Sequence, residues 1–398
     1  MSTSIQPNAP FRADIVGSFL RPQAVKDARA AYVAGKLDAS GLKAVEDEAI
    51  RDLVAKQKAA GLQVITDGEF RRSYWHLDFM WGLNGIERRA SRTGYMFHDE
   101  ETTADTAVVT GPISGENHPF VEHFKFIKSL EGEGQVARQT IPAPIQTFSE
   151  VTLDRCDGQQ ESLHAVYKTD EELVDAIAAA YRTVIADLYA AGCRNIQFDD
   201  CTWGIYCDTD FVSKTGMSPV DLQRVSELGV ALNNAAIEDK PDDLVINTHV
   251  CRGNYHSTYA FEGGYDPIAP YLFAHEDVDA LRCPGQEGRA GLGDHQGRRA
   301  RERGCYRRAH PRSRKVRAAR EPVSVSPVRL CQLRDWQQAD RGRAVGKDRP
   351  GQTHRRAHLE VVLPFAGGVV VGAACIAYNG SDRIVRAGNP ICPSALPL

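Results

Sequence analysis

AAGLQVITDGE (Ala59–Glu69) and AAGCRNIQFDD (Ala190–Asp200) are two stretches that repeat one pattern, and this pattern decides the fold. Each stretch runs from the end of a helix through a glycine and a short apolar run to acidic residues. A glycine at this position ends a helix, and a short apolar run predicts a buried strand. Helices that alternate with such strands predict an α/β fold with a parallel sheet.

The same alternation extends over residues 1–281. The predicted strands are Phe11–Phe19, Gln63–Thr66, Val136–Ile141, Asn195–Phe198, a run that begins at Leu244, and Val278–Leu281. The predicted helices begin near Pro22 and Tyr265 or span Ser40–Ala60, Thr169–Ala191 and Pro219–Ile237. We therefore expect a (β/α)8 barrel, whose active site forms at the carboxyl ends of the strands.

Acidic residues follow two of these strands, and a histidine and a cysteine follow a third. Glu69, Asp199, His249 and Cys251 would converge on one mouth of the barrel. The alternative for each acid is that it caps the next helix. His249 and Cys251 lie two residues apart in LVINTHVCRGNY (Leu244–Tyr255), so they share one face of a strand. Together they supply half of a zinc site, unless they are a core cysteine beside a surface histidine.

Ten cysteines without framework spacing predict reduced thiols and a cytoplasmic protein, since no apolar leader opens the chain. No apolar run is long enough to span a bilayer, so no membrane partner is expected.

Net charge changes abruptly after Leu281. Residues 1–281 contain 25 Lys and Arg against 43 Asp and Glu, whereas residues 282–361 contain 21 against 8. Of those 21 basic residues 19 are arginine, which is a second sharp change at the same point.

Five segments of the acidic part resemble the catalytic barrel of cobalamin-independent methionine synthase, above all its short single-barrel relatives. They are VGSF (Val16–Phe19), DGEFRRSYWHLDF (Asp67–Phe79), IQFDD (Ile196–Asp200), INTHVCRGN (Ile246–Asn254) and GGYDPIAPYLF (Gly263–Phe273). The resemblance covers about residues 10–281. It implies a zinc enzyme that transfers methyl from a methyltetrahydrofolate to homocysteine.

The resemblance also implies roles for individual residues. His249 and Cys251 match two of the family's four zinc ligands. The positions that match the family's binding site for the amino-acid end of homocysteine are Val16, Gly17, Ser18, Glu69 and Asp199. Tyr74, Trp75, His76 and Trp203 are candidates to line a pterin or acceptor pocket, although core packing is the commoner role of such residues. No catalytic acid or base is assigned.

The resemblance stops where the charge changes. The family continues with a strand that ends in a glutamate ligand, and later brings a second cysteine ligand. Here RCPGQEGRAGLGD follows Leu281, and no spacing supports Cys283, Cys305 or Cys331 as replacements.

A shifted reading frame explains this departure. Read from the second base of permissible codons, Val328–Gln338 gives Cys-Gly-Phe-Ala-Ser-Cys-Glu-Ile-Gly-Asn-Lys, which is family-like. His358–Val361 gives Thr-Trp-Lys and a stop codon in the same way. We therefore expect a partial barrel over residues 1–281, an out-of-frame, irregular or disordered segment over 282–361, and read-through over 362–398.

Three alternatives stay open at this level. An Arg-rich segment is also the electrostatic signature of nucleic-acid binding, but the segment has no regular aromatic interleaving or known binding motif. The barrel could use another methyl donor or another thiol, because fold and zinc do not determine the donor. The chain could also be an inactive remnant that has lost two zinc ligands.

Overall fold

The structure is a computed structural model that describes residues 15–97, 100–256 and 258–282 and three strands between 355 and 385. The helices are α1 (Gln23–Val33), α2 (Ala39–Ala59), α3 (Leu77–Met80), α4 (Pro119–Ser129), α5 (Pro144–Thr152), α6 (Gln159–Val166), α7 (Asp170–Ala190), α8 (Thr202–Cys207), α9 (Thr209–Lys214), α10 (Pro219–Ala235) and α11 (Ala269–His275). The strands up to residue 282 are β1 (Val64–Ile65), β2 (Asn84–Ala90), β3 (Met96–Phe97), β4 (Glu100–Glu101), β5 (Asp105–Ser114), β6 (Val136–Pro142), β7 (Asn195–Asp200), β8 (Val245–Val250) and β9 (Ala280–Arg282).

A parallel sheet of five strands, in the order β1-β6-β7-β8-β9, is the centre of the described residues. Helices connect each strand to its neighbour, so the predicted α/β fold is confirmed. Side chains alternate between the two faces of each strand. We call the face that carries Gln197, Asp199, Asn247 and His249 the inner face, and the opposite face the outer face.

The predicted helix boundaries follow from capping. The Thr169 side chain accepts a 3.2 Å hydrogen bond from the Glu172 N–H at the start of α7, and Gly192 adopts a φ of 94° just past its end. One face of α7 is buried in the main apolar core, where it covers Ile196 and Phe198 of β7. The buried residues on that face are Leu173, Ile177, Tyr181, Val184, Ile185 and Leu188.

Two small antiparallel units between β1 and β6 were not predicted. β2 pairs with β5, and β3 pairs with β4 in a short hairpin. Nearly all of β2 is exposed, so its sequence, NGIERRA, lacks the apolar alternation by which a strand is recognised.

The strand predicted over Phe11–Phe19 is wrong in its described part, since residues 15–22 form no strand. Hydrogen bonds from side chains of the inner face hold this segment in place, and no backbone ladder does so. Arg138 Nη1 donates to the Ile15 carbonyl at 3.3 Å, and Gln197 Nε2 donates to the Val16 carbonyl at 2.6 Å. Residues 11–14 lie outside the described residues.

Most of the Arg-rich segment, residues 283–354, also lies outside the described residues. The last seven residues of that segment, 355–361, begin β10 (Arg355–Phe365), which pairs antiparallel with β11 (Gly368–Asn379). β11 in turn pairs with β12 (Arg383–Val385). Valine-rich runs such as GVVVG favour this extended backbone. Among the helices described, none has the length and apolar character needed to cross a membrane.

A buried polar network connects the outer face to the helices. The Asn233 amide of α10 donates to Asp200 at 3.2 Å and to Glu276 at 3.1 Å, and the Thr248 hydroxyl donates to Glu276 at 3.0 Å. Two carboxyl groups therefore share one amide. Burial, with the nearby Asp200 charge, raises the pKa of Glu276 to about 8, so Glu276 is largely protonated at neutral pH.

This network predicts a pH-dependent stability. Glu276 has a higher pKa in the folded chain than in the unfolded chain, so its contribution to stability is full below the ordinary value of 4.5 and is lost progressively until the pH reaches about 8. We expect Tm to fall by roughly 5 °C between pH 6 and pH 9. Glu276→Gln, which is neutral throughout, should weaken that fall, whereas exposed Glu227→Gln should not. An equal pH slope in both variants would contradict the assignment.

Candidate active site

Four chemically active side chains lie together at the carboxyl ends of β7 and β8. The register pairs Asp199 with His249 on neighbouring strands, and the next residues of the same parity are Cys201 and Cys251. The Cys251 N–H donates to the Asp200 carbonyl at 3.3 Å, so the ladder continues one residue past the strand. The two strand ends thus present a carboxylate, an imidazole and two thiols on the inner face.

The Cys251 sulfur is the most strongly perturbed group in this cluster. Hydrogen bonds from the Cys201 thiol and the His249 imidazole hold the pKa of Cys251 well below its usual range, although burial opposes them. The Gly253 N–H also donates to this sulfur at 3.3 Å. The bond to Cys251 in turn raises the pKa of Cys201 well above its usual value. Cys251 is therefore the thiolate of the pair, which is the form that binds metals.

His249 and Asp199 are an acid–base pair beside this thiolate. Burial lowers the pKa of His249, but the Cys251 sulfur and then the Asp199 and Glu69 carboxylates raise it above its usual value overall. Burial is the main cause that raises the pKa of Asp199 to about 7; the His249 charge opposes this rise and the Glu69 charge adds to it. A cation that entered this site would therefore meet carboxyl groups that gain their charge on binding it.

Glu69 reaches the same mouth from the loop after β1. It is 4% exposed and has a left-handed φ of 60°, and its N–H donates to Asp67 at 2.9 Å. Its carboxylate accepts from the Thr140 hydroxyl at 3.2 Å and lies 3.5 Å from Arg72 Nη1. Burial raises the pKa of Glu69, and the Arg72 charge opposes that rise.

Val16, Gly17 and Ser18 lie between these acids. Gln197 donates from one amide nitrogen to the Val16 carbonyl and, at 2.7 Å, to Asp199. The Phe19 N–H donates to the Gly68 carbonyl at 3.2 Å. The segment is thereby attached to the neighbours of both Asp199 and Glu69, and the structure brings all seven predicted site residues to one end of the sheet.

Sequence reasoning missed three residues that position this site. Arg72 donates to the Thr140 carbonyl and hydroxyl at 2.7 and 2.8 Å while it faces Glu69. Gln197 joins Val16 to Asp199, and Cys201 completes the sulfur pair. Cys201 carried a signal, because Asp-x-Cys at the end of β7 repeats the spacing of His-x-Cys at the end of β8.

The aromatic candidates differ in burial: Trp203 is buried, whereas Tyr74 and Trp75 are half-buried. Trp203 is 1% exposed and belongs to an apolar cluster with Tyr206 and Val250 on the outer face, so it is a core residue rather than a pocket wall. Trp75 is half-buried, and its ring lies 4.5 Å from that of His76. The Tyr74 hydroxyl bonds Thr103.

The donors at this site suit zinc in type but are incomplete in number. His249 Nδ1 is buried beside the Cys251 thiolate and has no hydrogen-bond partner in the described part of the chain, so it is available as a metal donor. In the part of the chain that the structure describes, however, no three His, Cys, Asp or Glu residues are placed to hold a metal ion together. The described residues therefore supply two zinc donors and no complete site.

Reactive side chains at the carboxyl ends of parallel strands occupy the place where barrel enzymes of the α/β class form their active sites. The family can be named as well. Residues 11–260 match the model described as the catalytic domain of cobalamin-independent synthase, and the chain belongs to this family.

Relatives agree with that assignment. The uncharacterized Bacillus subtilis proteins YxjH and YxjG are both 37% identical to the chain; YxjH aligns over 73% of the chain and 74% of its own length, and YxjG over 71% and 72%. A Listeria monocytogenes structure, described as a candidate vitamin-B12-independent methionine synthase, is 36% identical with a TM-score of 0.53. It covers 69% of this chain and 73% of its own. The barrel-type fold of the family is therefore the fold of this chain.

Gly204 provides a test of how the Cys251 loop is held. A methyl group on Gly204, in α8, would lie 2.2 Å from the Cys251 carbonyl oxygen, so backbone has to move. We expect Gly204→Ala to lower Tm by roughly 5 °C and to raise the pKa of the Cys251 thiol, since its donors would be misplaced. Thiol alkylation against pH measures the second effect.

Gly111→Ala is the matched control for this substitution, because its added methyl group would meet only the Gly85 Cα at 3.7 Å. Equal losses of Tm in the two variants would show that the close contact between α8 and Cys251 does not itself contribute to stability.

Proposed function

We propose that this chain derives from an enzyme that transfers a methyl group from 5-methyltetrahydrofolate, in its polyglutamate form, to the thiolate of homocysteine, giving methionine. The observation that carries the proposal is the cluster of Asp199, His249, Cys201 and Cys251 at paired strand ends. It occurs in a chain that belongs to the cobalamin-independent synthase family.

The proposal extends names carried by more distant relatives. A methionine synthase of Sulfolobus acidocaldarius is 24% identical over 61% of each chain. A 5-methyltetrahydropteroyltriglutamate–homocysteine methyltransferase of Cronobacter sakazakii is 30% identical over 46% of this chain and 23% of its own length. These names support the reaction class, and the closer relatives have no assigned activity.

Within the proposal, His249 and Cys251 hold zinc. Zinc supplies a Lewis acid that lowers the pKa of a bound thiol, so that homocysteine is available as thiolate at neutral pH. The buried, unpartnered His249 Nδ1 and the low pKa of Cys251 support these two as ligands. The family's remaining glutamate and cysteine ligands would fall after residue 282.

The amino-acid end of homocysteine is proposed to lie against Glu69, Asp199 and the Val16–Ser18 segment. Both carboxyl groups are buried, burial is the main cause of their raised pKa values, and a positive charge beside them would favour their ionised forms. The ammonium group of homocysteine would supply that charge and form charge-assisted hydrogen bonds. Holding this end fixes the thiol relative to the methyl donor, and such positioning supplies much of the rate in a displacement.

We also propose that residues from about 282 onward are translated out of frame after a short deletion near Leu281. The charge change at residue 282 and the decoded family-like segment support this. The consequence is loss of two zinc ligands and of the strands that close the barrel. The 398-residue chain is then zinc-poor and inactive, whereas the chain with its frame restored is the complete methyltransferase.

Zinc content and turnover test the proposed reaction. We expect the frame-restored protein to hold about one zinc per chain and to methylate homocysteine from 5-methyltetrahydrofolate, and the 398-residue protein to do neither. Cys251→Ser in the restored protein should lower zinc content and activity at least 100-fold, since a hydroxyl is a poor zinc ligand. Cys156→Ser, at a buried cysteine away from the site, is the control and should retain both.

A restored protein that binds zinc but accepts methyl from another donor would overturn the folate assignment alone. Robust turnover by the 398-residue protein would overturn the conclusion that it is inactive.

Resequencing tests the proposed frameshift directly. Reads across the codons for Val278–Gly293 are expected to differ from the present frame by a short insertion and to encode a strand that ends in glutamate. Reads that reproduce the present frame would show a real lesion in the gene rather than an error in its sequence. Reads that change the frame without yielding the glutamate would contradict the proposal.

A further inference from the structure

A second group of buried polar side chains lies beside the proposed active site and has no role in the chemistry above. His76 Nε2 lies 2.9 Å from the Tyr95 hydroxyl, which donates at 2.7 Å to the Glu150 carboxylate. We call His76, Tyr95 and Glu150 the His76 relay. His76 precedes α3, Tyr95 precedes β3, and Glu150 is in α5, so the relay joins three separate parts of the fold.

Counting protons along the His76 relay determines the state of the imidazole. Glu150 accepts from Tyr95 and, at 2.6 Å, from the Thr106 hydroxyl, and Arg155 Nη1 lies 3.7 Å from it. A carboxylate in these surroundings only accepts, so the single Tyr95 proton is directed to Glu150. The Tyr95 oxygen can then only accept from His76. Nε2 of His76 therefore carries the hydrogen.

The other ring nitrogen of His76, Nδ1, is consequently an acceptor. It is buried and has no hydrogen-bond partner among the described residues, and the His76 side chain is 3% exposed. Burial, with the Arg155 charge as a second cause, lowers the pKa of His76 to about 3, so the imidazole stays neutral. A buried acceptor left unpaired costs free energy, and such an atom at a functional site points to a ligand.

The surroundings of His76 place this acceptor beside the proposed site. Arg72, which faces Glu69, donates to the carbonyl of Trp75 at 3.3 Å. On the other side, the β3–β4 hairpin that carries Tyr95 reaches the loop after Cys251. There the Thr258 hydroxyl donates to the Phe97 carbonyl at 3.3 Å. Hydrogen bonds therefore connect the residues next to the His76 relay to Arg72 on one side and to the loop after Cys251 on the other.

We propose that His76 Nδ1 accepts a hydrogen bond from an N–H group of the pterin ring of the methyl donor. This inference rests on the proposed function. The ring of Trp75, tilted 36° to that of His76 and 4.5 Å away, adds a flat aromatic wall for a flat heterocycle. The ammonium group of homocysteine prefers the carboxyl groups of Glu69 and Asp199 to a neutral imidazole. The neutral N–H donors of a pterin suit a neutral acceptor.

Binding of 5-methyltetrahydrofolate to the frame-restored protein tests the inference, with homocysteine binding measured in parallel. His76→Phe keeps a ring but removes the acceptor, and we expect it to weaken folate binding about tenfold with homocysteine binding unchanged. His76→Asn places an amide oxygen near the Nδ1 position and should recover most of the loss. His164→Asn, at an exposed histidine of α6, is the control and should bind both molecules as the wild type does.

The relay itself has a separate readout. The ¹⁵N spectrum of His76 should show Nδ1 without a proton in the wild type, and Tyr95→Phe should mix the two tautomers because Nε2–H then lacks its acceptor. A protonated Nδ1 in the wild type would overturn the inference whatever the affinities are.

The affinities distinguish this inference from the proposed function. Wild-type affinity for folate in a folded His76→Phe protein would overturn the role of His76 alone. Equal weakening of folate and homocysteine binding would show a structural role and also overturn it. A wild-type protein that binds homocysteine but no folate would overturn the assigned methyl donor and this inference with it.

Discussion

The parallel register between β7 and β8 is the constraint on which the candidate site depends. It pairs Asp199 with His249 and continues far enough to bring Cys201 beside Cys251. Neighbouring strands are about 4.8 Å apart, which is close enough for the paired side chains to exchange protons or bind one ion. A slip of one residue by either strand would turn that strand's two site residues to the outer face, where apolar helices pack. The backbone register of β7 and β8 therefore determines which side chains meet at the site.

Buried carboxyl groups have different partners on the two faces of the sheet. On the outer face, Asp200 and Glu276 are both bound by Asn233, so burial is offset within the protein. On the inner face, burial raises the pKa of both Asp199 and Glu69, although Arg72 lies 3.5 Å from Glu69. A protein that needed only stability would not keep two such carboxyl groups buried together, because an unpaired buried charge is costly. In the proposed function, the ammonium group of the substrate would supply positive charge to these two carboxyl groups.

Much of this arrangement could be predicted from the sequence, and the rest depended on long-range pairing. Helix caps such as Thr169 and strands such as Asn195–Phe198 are encoded locally, so their positions were predicted to within about two residues. Periodicity also indicates that His249 and Cys251 share one face. It cannot indicate which strands become neighbours, so the contact between Cys201 and Cys251 was out of reach. The strand predicted over Phe11–Phe19 was wrong in its described part because distant side chains bind its carbonyl groups.

The buried amide of Asn247 on the inner face has polar atoms that the described residues do not satisfy. Asn247 lies on β8, two residues before His249, and neither polar atom of its buried amide has a partner among the described residues. Its lateral neighbours on the sheet are Gln197, which is bonded to Val16, Asp199 and Arg138, and Ala280. In the proposed frame-restored chain, strands that follow β9 would lie across the barrel from Asn247 and would carry the two remaining zinc ligands. Under that proposal, closing the barrel and completing the metal site are one structural requirement.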